Sequence, residues 1–207
     1  MKITPELARI HSHICGDGCA YLRNGKRNLT SLKKHPRINL NYPHWIIEYC
    51  NTCEELIKEF IEDMKISYNR NCNYIYRSRV RYAGVLHIVD ELELKGKNSR
   101  SWYIPKFIMN ASEKVIVNWL RAFFDDEATV AIRSIRIKCM NKNGLIQVSK
   151  LLFKLNIYSK ITGINIDGSW YLNVYKEDLQ KYENKIGFLH PSKKNKLNIL
   201  VKERFKK

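Results

Sequence analysis

Two acidic residues stand at the ends of two hydrophobic segments and give the clearest chemical signal in the sequence. Asp17 follows an apolar stripe that ends in Gly16, and Glu127 follows a second stripe that ends in Asp125 and Asp126. A carboxylate just past a helix C-terminus is disfavoured by the helix dipole, so a cationic partner is expected at each. Carboxylates brought close together repel each other, which favours a bound divalent cation. Their oxygens, together with the phosphates of a bound strand, suit Mg²⁺.

Small residues within the two segments indicate how the acids are brought together. Each segment is long enough for a helix of about 20 Å. Ser12, Gly16 and Ala122 would allow two such helices to pack closely side by side. We therefore expect Asp17 and Glu127 to lie together at the C-terminal ends of paired helices.

The charge balance points to a polyanionic partner. The 207 residues include 37 Lys and Arg against 20 Asp and Glu, a formal net charge of +17 that is spread over both halves. With 44% apolar and 11% aromatic residues, the chain is not a disordered basic tail. Its apolar runs are too short for a membrane span. We expect an intracellular protein, in the cytoplasm or an organelle matrix, that binds nucleic acid. A charged surface that serves only solubility is the alternative.

Helical periodicity and strand alternation occur in the same order in both halves. The order in each half is helix, two strands, helix, two strands, helix, with an insertion of roughly twenty residues in the first half, which indicates an internal duplication. In the first half the helices are predicted over 4–14, 53–64 and 85–94, and the strands over 21–28, 38–49 and 74–82. In the second half the helices are predicted over 112–127, 144–155 and 177–186, and the strands over 129–132, 134–139, 158–166 and 169–175.

The cysteines and histidines do not form a recognisable zinc pattern. Cys50 and Cys53 make a lone CxxC without a second pair behind it. His11 and His13 are two residues apart, so on a helix they point to different faces. We expect reduced thiols and no zinc site.

The two acidic segments resemble the motifs of the LAGLIDADG homing endonucleases. The first copy is IHSHICGDG at 10–18, and the second is LRAFFDDEA at 120–128, preceded by IPKFI at 104–108. Residues 186–194 resemble the family's closing segment. Two motifs about 110 residues apart are far more specific than one. Ala128 replaces the final motif glycine, and His11 and His13 are unusually polar for a packed helix.

The resemblance implies an α+β fold of two pseudo-twofold-related αββαββα halves. Each half contributes a four-stranded antiparallel sheet to a DNA-binding saddle. The halves are expected at 1–98 and 112–207, with a linker at 99–111. The implied activity is metal-dependent cleavage of both strands by a monomer at a long asymmetric double-stranded DNA site. Mg²⁺ is the expected cofactor, Mn²⁺ is expected to substitute, and Ca²⁺ to bind without supporting cleavage.

The resemblance also assigns roles at the site. Asp17 and Glu127 would be catalytic metal ligands, each at one of two staggered scissile phosphates. Adjacent ligands would be Gly16 and Asp126. The basic residue that the family places near each scissile phosphate would be Lys193 or Lys194 in the second half and Lys97 in the first. For each lysine, a solvated surface position is the alternative.

We expect strand side chains that face the DNA groove to recognise the base sequence, because arginine pairs bidentately with guanine or phosphate. Arg77, Arg79 and Arg81 alternate along one predicted face, and Arg136 and Lys138 alternate along another. Contact with phosphate alone is the alternative for any one of them. The complete predicted set is Arg23, Lys26, Arg27, Asn28, Arg77, Arg79, Arg81, Arg133, Arg136 and Lys138.

Two other functions are compatible with the same fold. One is an RNA-splicing maturase, and the other is a DNA-binding regulator without catalysis. Retention of both Asp17 and Glu127 favours the nuclease, because neither alternative has a chemical need for both acids. The chain begins at Met1 and ends in Phe205-Lys206-Lys207, without a terminal nucleophile or a closing His-Asn pair. We therefore expect an intron-encoded protein and not an intein.

Overall fold

The computed structural model describes residues 3–23, 43–72, 74–76 and 78–204, and its element order is the predicted one apart from two further helices. The first half contains α1 (Pro5–Cys15), β1 (Gly18–Arg23), β2 (His44–Cys50), α2 (Glu54–Tyr68), β3 (Tyr74–Tyr76), β4 (Arg79–Ala83) and α3 (Leu86–Glu91). The second contains α4 (Lys106–Met109), α5 (Glu113–Glu127), β5 (Ala128–Val130), β6 (Ser134–Cys139), α6 (Lys142–Lys154), β7 (Lys160–Thr162), β8 (Trp170–Tyr175), α7 (Lys176–Lys185) and α8 (Pro191–Arg204). Helices α4 and α8 are additions to the predicted order.

Each half forms a four-stranded antiparallel sheet with the same strand order. The first sheet runs β1-β2-β4-β3 and the second runs β5-β6-β8-β7. Neighbouring strands pair antiparallel throughout both sheets. This repetition confirms the predicted α+β fold of two similar halves.

The segment 74–82, predicted as one strand, is instead a hairpin. Tyr74 pairs with Arg81 and Tyr76 pairs with Arg79, which places the turn around Ser78. The alternation itself is correct within β4, where Val80 is buried and Arg79 is exposed. A period of two is the same in one long strand and in two antiparallel arms, so the pattern could not reveal the turn.

Helices α1 and α5 pack against each other along their length. Thr4 Oγ1 accepts from Leu7 N at 3.3 Å and caps α1, whereas Ser112 precedes α5 without a side-chain capping bond. Ser12 Oγ donates to the Trp119 carbonyl at 2.7 Å across the helix interface. The close approach therefore uses a small residue at the predicted position.

Gly16 lies directly against Asp126 in this interface, and we expect Gly16→Ala to destabilise the fold. A Cβ there would lie 2.7 Å from Asp126 Oδ2 and 2.8 Å from Asp126 Cβ. Asp126 is buried and hydrogen-bonded, so it cannot yield, and the overlap should cost about 1–3 kcal/mol. Chemical denaturation measures the effect. An unchanged unfolding midpoint would contradict this packing.

Two hydrophobic cores lie on either side of the helix pair. Ile10 and Ile14 of α1 belong to the first core, whereas Ala8 and Cys15 of the same helix belong to the second. Trp102, within the predicted linker, is also buried in the second core. Within the part of the chain that the structure describes, no helix is both long and apolar enough to cross a membrane.

Candidate active site at the ends of the paired helices

The ends of α1 and α5 border two cavities, and each cavity contains one of the two motif acids. The first, of about 670 Å³, is lined by Asp17 and by Lys193 from the second half of the chain. The second, of about 430 Å³, is lined by Glu127 and by Lys97 from the first half. The sequence led us to expect the two acids close together, each at one of two scissile phosphates. In the structure each acid lines its own cavity, together with a lysine from the opposite half.

In the first cavity, the Asn51 amide joins two carboxylates. Asn51 Nδ2 donates to Asp17 Oδ2 at 2.8 Å and to Asp126 Oδ1 at 3.2 Å. Desolvation within the cavity and repulsion by Asp126 raise the pKa of Asp17 to about 6, although Lys193 and Asn51 oppose the rise. Two acids held this close favour a cationic partner.

Asp126 is the more deeply buried acid, and protein donors occupy both oxygens of its side chain. Tyr49 donates its hydroxyl to Oδ1 at 2.7 Å, in addition to Asn51, and His13 Nδ1 lies 2.9 Å from Oδ2. Burial lowers the pKa of His13, but Asp126 and Glu59 outweigh it and raise the value to about 9. His13 is therefore protonated at neutral pH and neutralises Asp126. The carboxylate predicted as a metal ligand thus already has three partners within the described part of the protein.

In the second cavity, Glu127 lies half-buried between like charges. Burial, followed by repulsion from Asp17 and Asp126, raises its pKa to about 7, although Lys193 opposes the rise. Gly16, another predicted ligand, also lines this cavity. The two motif acids thus influence each other electrostatically even though they line separate cavities.

Lys193 is anchored at the end of α5. Its Nζ donates to the carbonyls of Phe124, Asp125 and Asp126 at 3.4, 2.5 and 3.2 Å. The Asp125 carboxylate accepts from the backbone N–H of His190 at 3.0 Å, which ties the start of α8 to the same place. Lys194, the alternative candidate, is exposed on α8 and lines neither of these two cavities. The structure therefore brings Lys193 to the site and not Lys194.

The predicted DNA-reading residues of the first half occupy the exposed side of its sheet. Arg79 and Arg81 lie on β4, and Arg81 forms a two-point contact with Glu48 on the adjacent strand, at 2.7 and 2.6 Å. Arg23 is exposed at the end of β1. The predicted residues Lys26, Arg27, Asn28 and Arg77 lie outside the described residues.

In the second half, Arg136 and Lys138 are exposed on β6, as predicted. Arg136 donates to Asn173 Oδ1 at 3.1 Å and lies 4.9 Å over the Tyr171 ring. Lys138 pairs with Asp167 at 2.5 Å. Arg133 was expected on a strand, but it lies in the turn between β5 and β6, because β5 ends at Val130.

Sequence reasoning missed the residues that hold the acids in place. Tyr49 and Asn51 come from the end of β2 and the residue after it, far along the chain from both motifs. His13 was noted only as an unusual polar residue. One signal could have suggested their role: residues at the end of a central strand come close to the end of the helix packed on it.

Comparison with known proteins gives one family-model match and two related proteins of known name. Residues 114–187 match the family model of the LAGLIDADG-like domain. The chain is 24% identical over 183 residues to the homing endonuclease I-ApeI of Aeropyrum pernix, covering 80% of each chain. It is 27% identical over 168 residues to the replication factor C small subunit of Thermococcus kodakarensis, covering 76% of this chain but 19% of that protein.

The fold is also found among solved structures. I-DmoI in complex with DNA and Ca superimposes with a TM-score of 0.68 at 17% identity, covering 96% of this chain and all of that one. At this level of identity the likeness shows a shared fold. Both halves of that fold are present here, and the matched domain includes the second motif. Residues 114–187 therefore match the LAGLIDADG-like domain that the second motif predicts, and the chain shares the fold of I-DmoI.

Proposed function

We propose that the chain is a homing endonuclease that hydrolyses one phosphodiester bond on each strand of a specific double-stranded DNA site, using a divalent cation. The observation that carries the proposal is the pair of cavities, each with one motif acid and one lysine from the opposite half. Two such cavities can serve two strands within a single chain. The likeness to the endonuclease I-ApeI supports the same conclusion.

The residues at the helix ends fit a hard divalent cation. Asp17 and Glu127 supply carboxylate oxygens, and the repulsion that raises the pKa of both would be relieved by a cation. Among the described residues, no group of three or more His, Cys, Asp or Glu side chains could hold a metal alone. DNA phosphate would therefore complete the coordination. When bound, Mg²⁺ supplies an activated water and charge stabilisation of the leaving oxygen.

The protein's own residues bind and position the DNA. Arg81 and Lys138 each contact an acid, Glu48 and Asp167 respectively, on the exposed sides of the two sheets. DNA phosphates would compete with these acids for side chains that are already held in position. Lys193, fixed by three carbonyls, would place its positive charge beside a scissile phosphate at the first cavity.

A randomised DNA library incubated with Mg²⁺ tests the proposal and identifies the target. We expect double-strand breaks within a long asymmetric consensus when the products are sequenced. We also expect Mn²⁺ to support cleavage and Ca²⁺ to support binding without cleavage. Selective binding of DNA without breaks in any of these ions would favour the non-catalytic regulator, and selective retention of structured RNA would favour the maturase.

Arg136→Ala should weaken DNA binding and reduce its salt dependence. Each phosphate contact releases about one counterion, so losing one should lower the slope of log affinity against log salt by about one. Lys150→Ala is the matched control, because Lys150 is exposed on α6, away from the proposed binding face. Fluorescence anisotropy over a salt series gives both slopes. Equal slopes for the two variants would contradict the assignment of Arg136 to the DNA surface.

A further inference from the structure

An acid lies on the side of the first sheet that is proposed to bind DNA. Glu48 of β2 has Cys19 of β1 and Arg81 of β4 as its cross-strand neighbours and is only 7% exposed. Ile47 and Tyr49, on either side of it along β2, belong to the first core, so Glu48 points to the opposite face of the sheet. A carboxylate on this face repels DNA phosphates, so its presence there needs a reason.

Arg81 is the closest partner of the Glu48 carboxylate among the described residues. Its Nε donates to Glu48 Oε2 at 2.7 Å, and its Nη2 lies 2.6 Å from the same oxygen. The Tyr21 hydroxyl donates to Oε2 at 3.4 Å, and Arg79 Nε lies 3.4 Å from Oε1. Tyr21, Glu48 and Arg81 come from three neighbouring strands, so the pairing of the sheet fixes their arrangement.

The contact with Glu48 sets the direction of the Arg81 guanidinium. A guanidinium has five N–H groups in a rigid fork, and Glu48 contacts the edge formed by Nε and Nη2. The end of the fork, formed by the two terminal nitrogens, is the edge that matches O6 and N7 of guanine in the major groove. Arg81 is therefore held in the orientation that recognition of a guanine requires.

The second sheet has the opposite charge at the equivalent position. Cys19 and Thr129 each follow a motif acid by two residues, on β1 and β5 respectively. Cys19 pairs with Glu48 of β2, and Thr129 pairs with Arg136 of β6. Glu48 and Arg136 are therefore equivalent in the two halves, and an acid in one sheet corresponds to a basic residue in the other.

The arginines of the two sheets also differ in how their charge is compensated. Arg81 is held by a carboxylate, so the pair has no net charge. Arg136 is held by the neutral amide of Asn173, at 3.1 Å, and by the Tyr171 ring, so it keeps its positive charge. A cation attracts phosphate whatever the DNA sequence, whereas a neutral pair gains mainly from a base edge of matching pattern.

DNA phosphates compete differently for Arg81 and for Lys138, the other cation that is paired with an acid. Asp167, the partner of Lys138, is 51% exposed, so water solvates it when a phosphate takes the lysine. Glu48 is buried, and loss of Arg81 would leave its charge buried without its closest partner. We therefore expect phosphate to displace Asp167 and Arg81 to remain on Glu48.

We infer that Glu48 is a positioning residue that determines base specificity, because it withholds Arg81 from phosphate and orients it toward a guanine in the first half of the target. This inference rests on the proposed function. Arg81 would contact O6 and N7 of that guanine while it remains bonded to Glu48. Arg136 would contribute positive charge at the equivalent place in the second half. The two halves of the target would then differ at equivalent positions, as an asymmetric site requires.

Selection of DNA by binding tests this role independently of cleavage. The full chain is incubated with a randomised DNA library in Ca²⁺, and the retained DNA is sequenced. We expect one G·C pair in one half of the consensus to depend on Glu48 and Arg81. Glu48→Gln keeps the size of the side chain and should weaken that preference. Changing both residues to Gln should abolish it, a loss of about 5- to 150-fold in discrimination.

The salt dependence of binding separates this role from a merely structural one. Glu48→Gln should raise the affinity for scrambled DNA and increase the slope of log affinity against log salt by about one, because Arg81 is then a cation that a phosphate can bind. The double change removes both charges, so its slope should return to that of the unmodified protein. Asp90→Asn removes the same charge from an exposed pair with Lys95 and should change neither the slope nor the base preference.

Fluorescence anisotropy over a salt series, with selected and scrambled duplexes, gives these slopes. A slope that does not rise in Glu48→Gln, or a G·C preference that survives the double change, overturns the role of Glu48 while the proposed function stands. The double variant carries no uncompensated charge, so it tests the base preference even if Glu48→Gln does not fold. If the unmodified protein selects no DNA sequence, the proposed function fails and this role fails with it.

Discussion

Replacing Asp17 by Asn or Glu127 by Gln should abolish double-strand cleavage while preserving DNA binding. Each amide keeps the shape of the acid but loses the charge needed to hold a divalent cation. Loss of one group that stabilises transition-state charge typically costs about 100- to 1,000-fold in rate. Since the acids line separate cavities, each single variant should still nick one strand, and the double variant should cut neither.

Supercoiled plasmid carrying the selected site separates these outcomes, because nicked and linear products migrate differently. Asp90→Asn is the matched control, since Asp90 is an exposed acid that pairs with Lys95 away from the site. It should cut both strands like the unmodified protein. Cleavage that survives the double change would remove Asp17 and Glu127 from the metal site. Nicking of neither strand by the single variants would mean that the two cavities act as one unit.

The fold could be predicted from the sequence because its signals are local and repeated. The period of 3.6 in the motif helices and the period of two in β4 and β6 each arise from one buried face. The same locality explains the error at 74–82, where alternation continues through a turn. Strands β5 and β7 were predicted too long for the same reason, because the local pattern does not mark where a strand ends.

The site could be predicted only in part. Asp17 and Glu127 were identified because a carboxylate after an apolar helix is chemically unusual. Their separation into two cavities depends on how the helix pair sits between two sheets, which the spacing along the chain does not encode. The partners of His11 and His13 come from other elements: Trp119 on α5 and Asp126 at its end. Polar residues that looked like departures from the motif are therefore hydrogen-bonded in the helix interface.

His13 leads to the second large prediction, because its position in the first motif corresponds to Phe123 in the second. Its ring is completely buried against Tyr49 and Phe60, at 4.6 and 5.8 Å between ring centres. Asp126 lies at 2.9 Å from Nδ1 and Glu59 at 3.9 Å from Nε2. A histidine cation in an aromatic core is stable only with these carboxylates, which links both motif helices to the protonation of one side chain.

Stability should therefore fall as the pH rises. The pKa of His13 is about 9 in the folded protein, against 6.5 ordinarily. The folded state holds the proton more tightly than the unfolded state, so its stabilising contribution is complete below pH 6.5 and is lost as pH rises through 9. Linkage converts this difference to about 3 kcal/mol. Urea denaturation between pH 6 and 9.5, with a chelator present to remove metal effects, measures it.

Two variants separate the ion pair from other causes of alkaline instability. His13→Phe should destabilise the protein at pH 6.5, because Asp126 is left buried with only Tyr49 and Asn51 as donors, and it should remove this step of the pH dependence. Adding Asp126→Asn should recover part of the loss, since no buried charge then remains unpaired, and the double-mutant cycle gives the coupling directly. If the free energy of unfolding of the His13→Phe variant still falls by the full amount between pH 6.5 and 9, a group other than His13 causes the pH dependence. If the two changes are simply additive, His13 and Asp126 do not stabilise the interface as a pair.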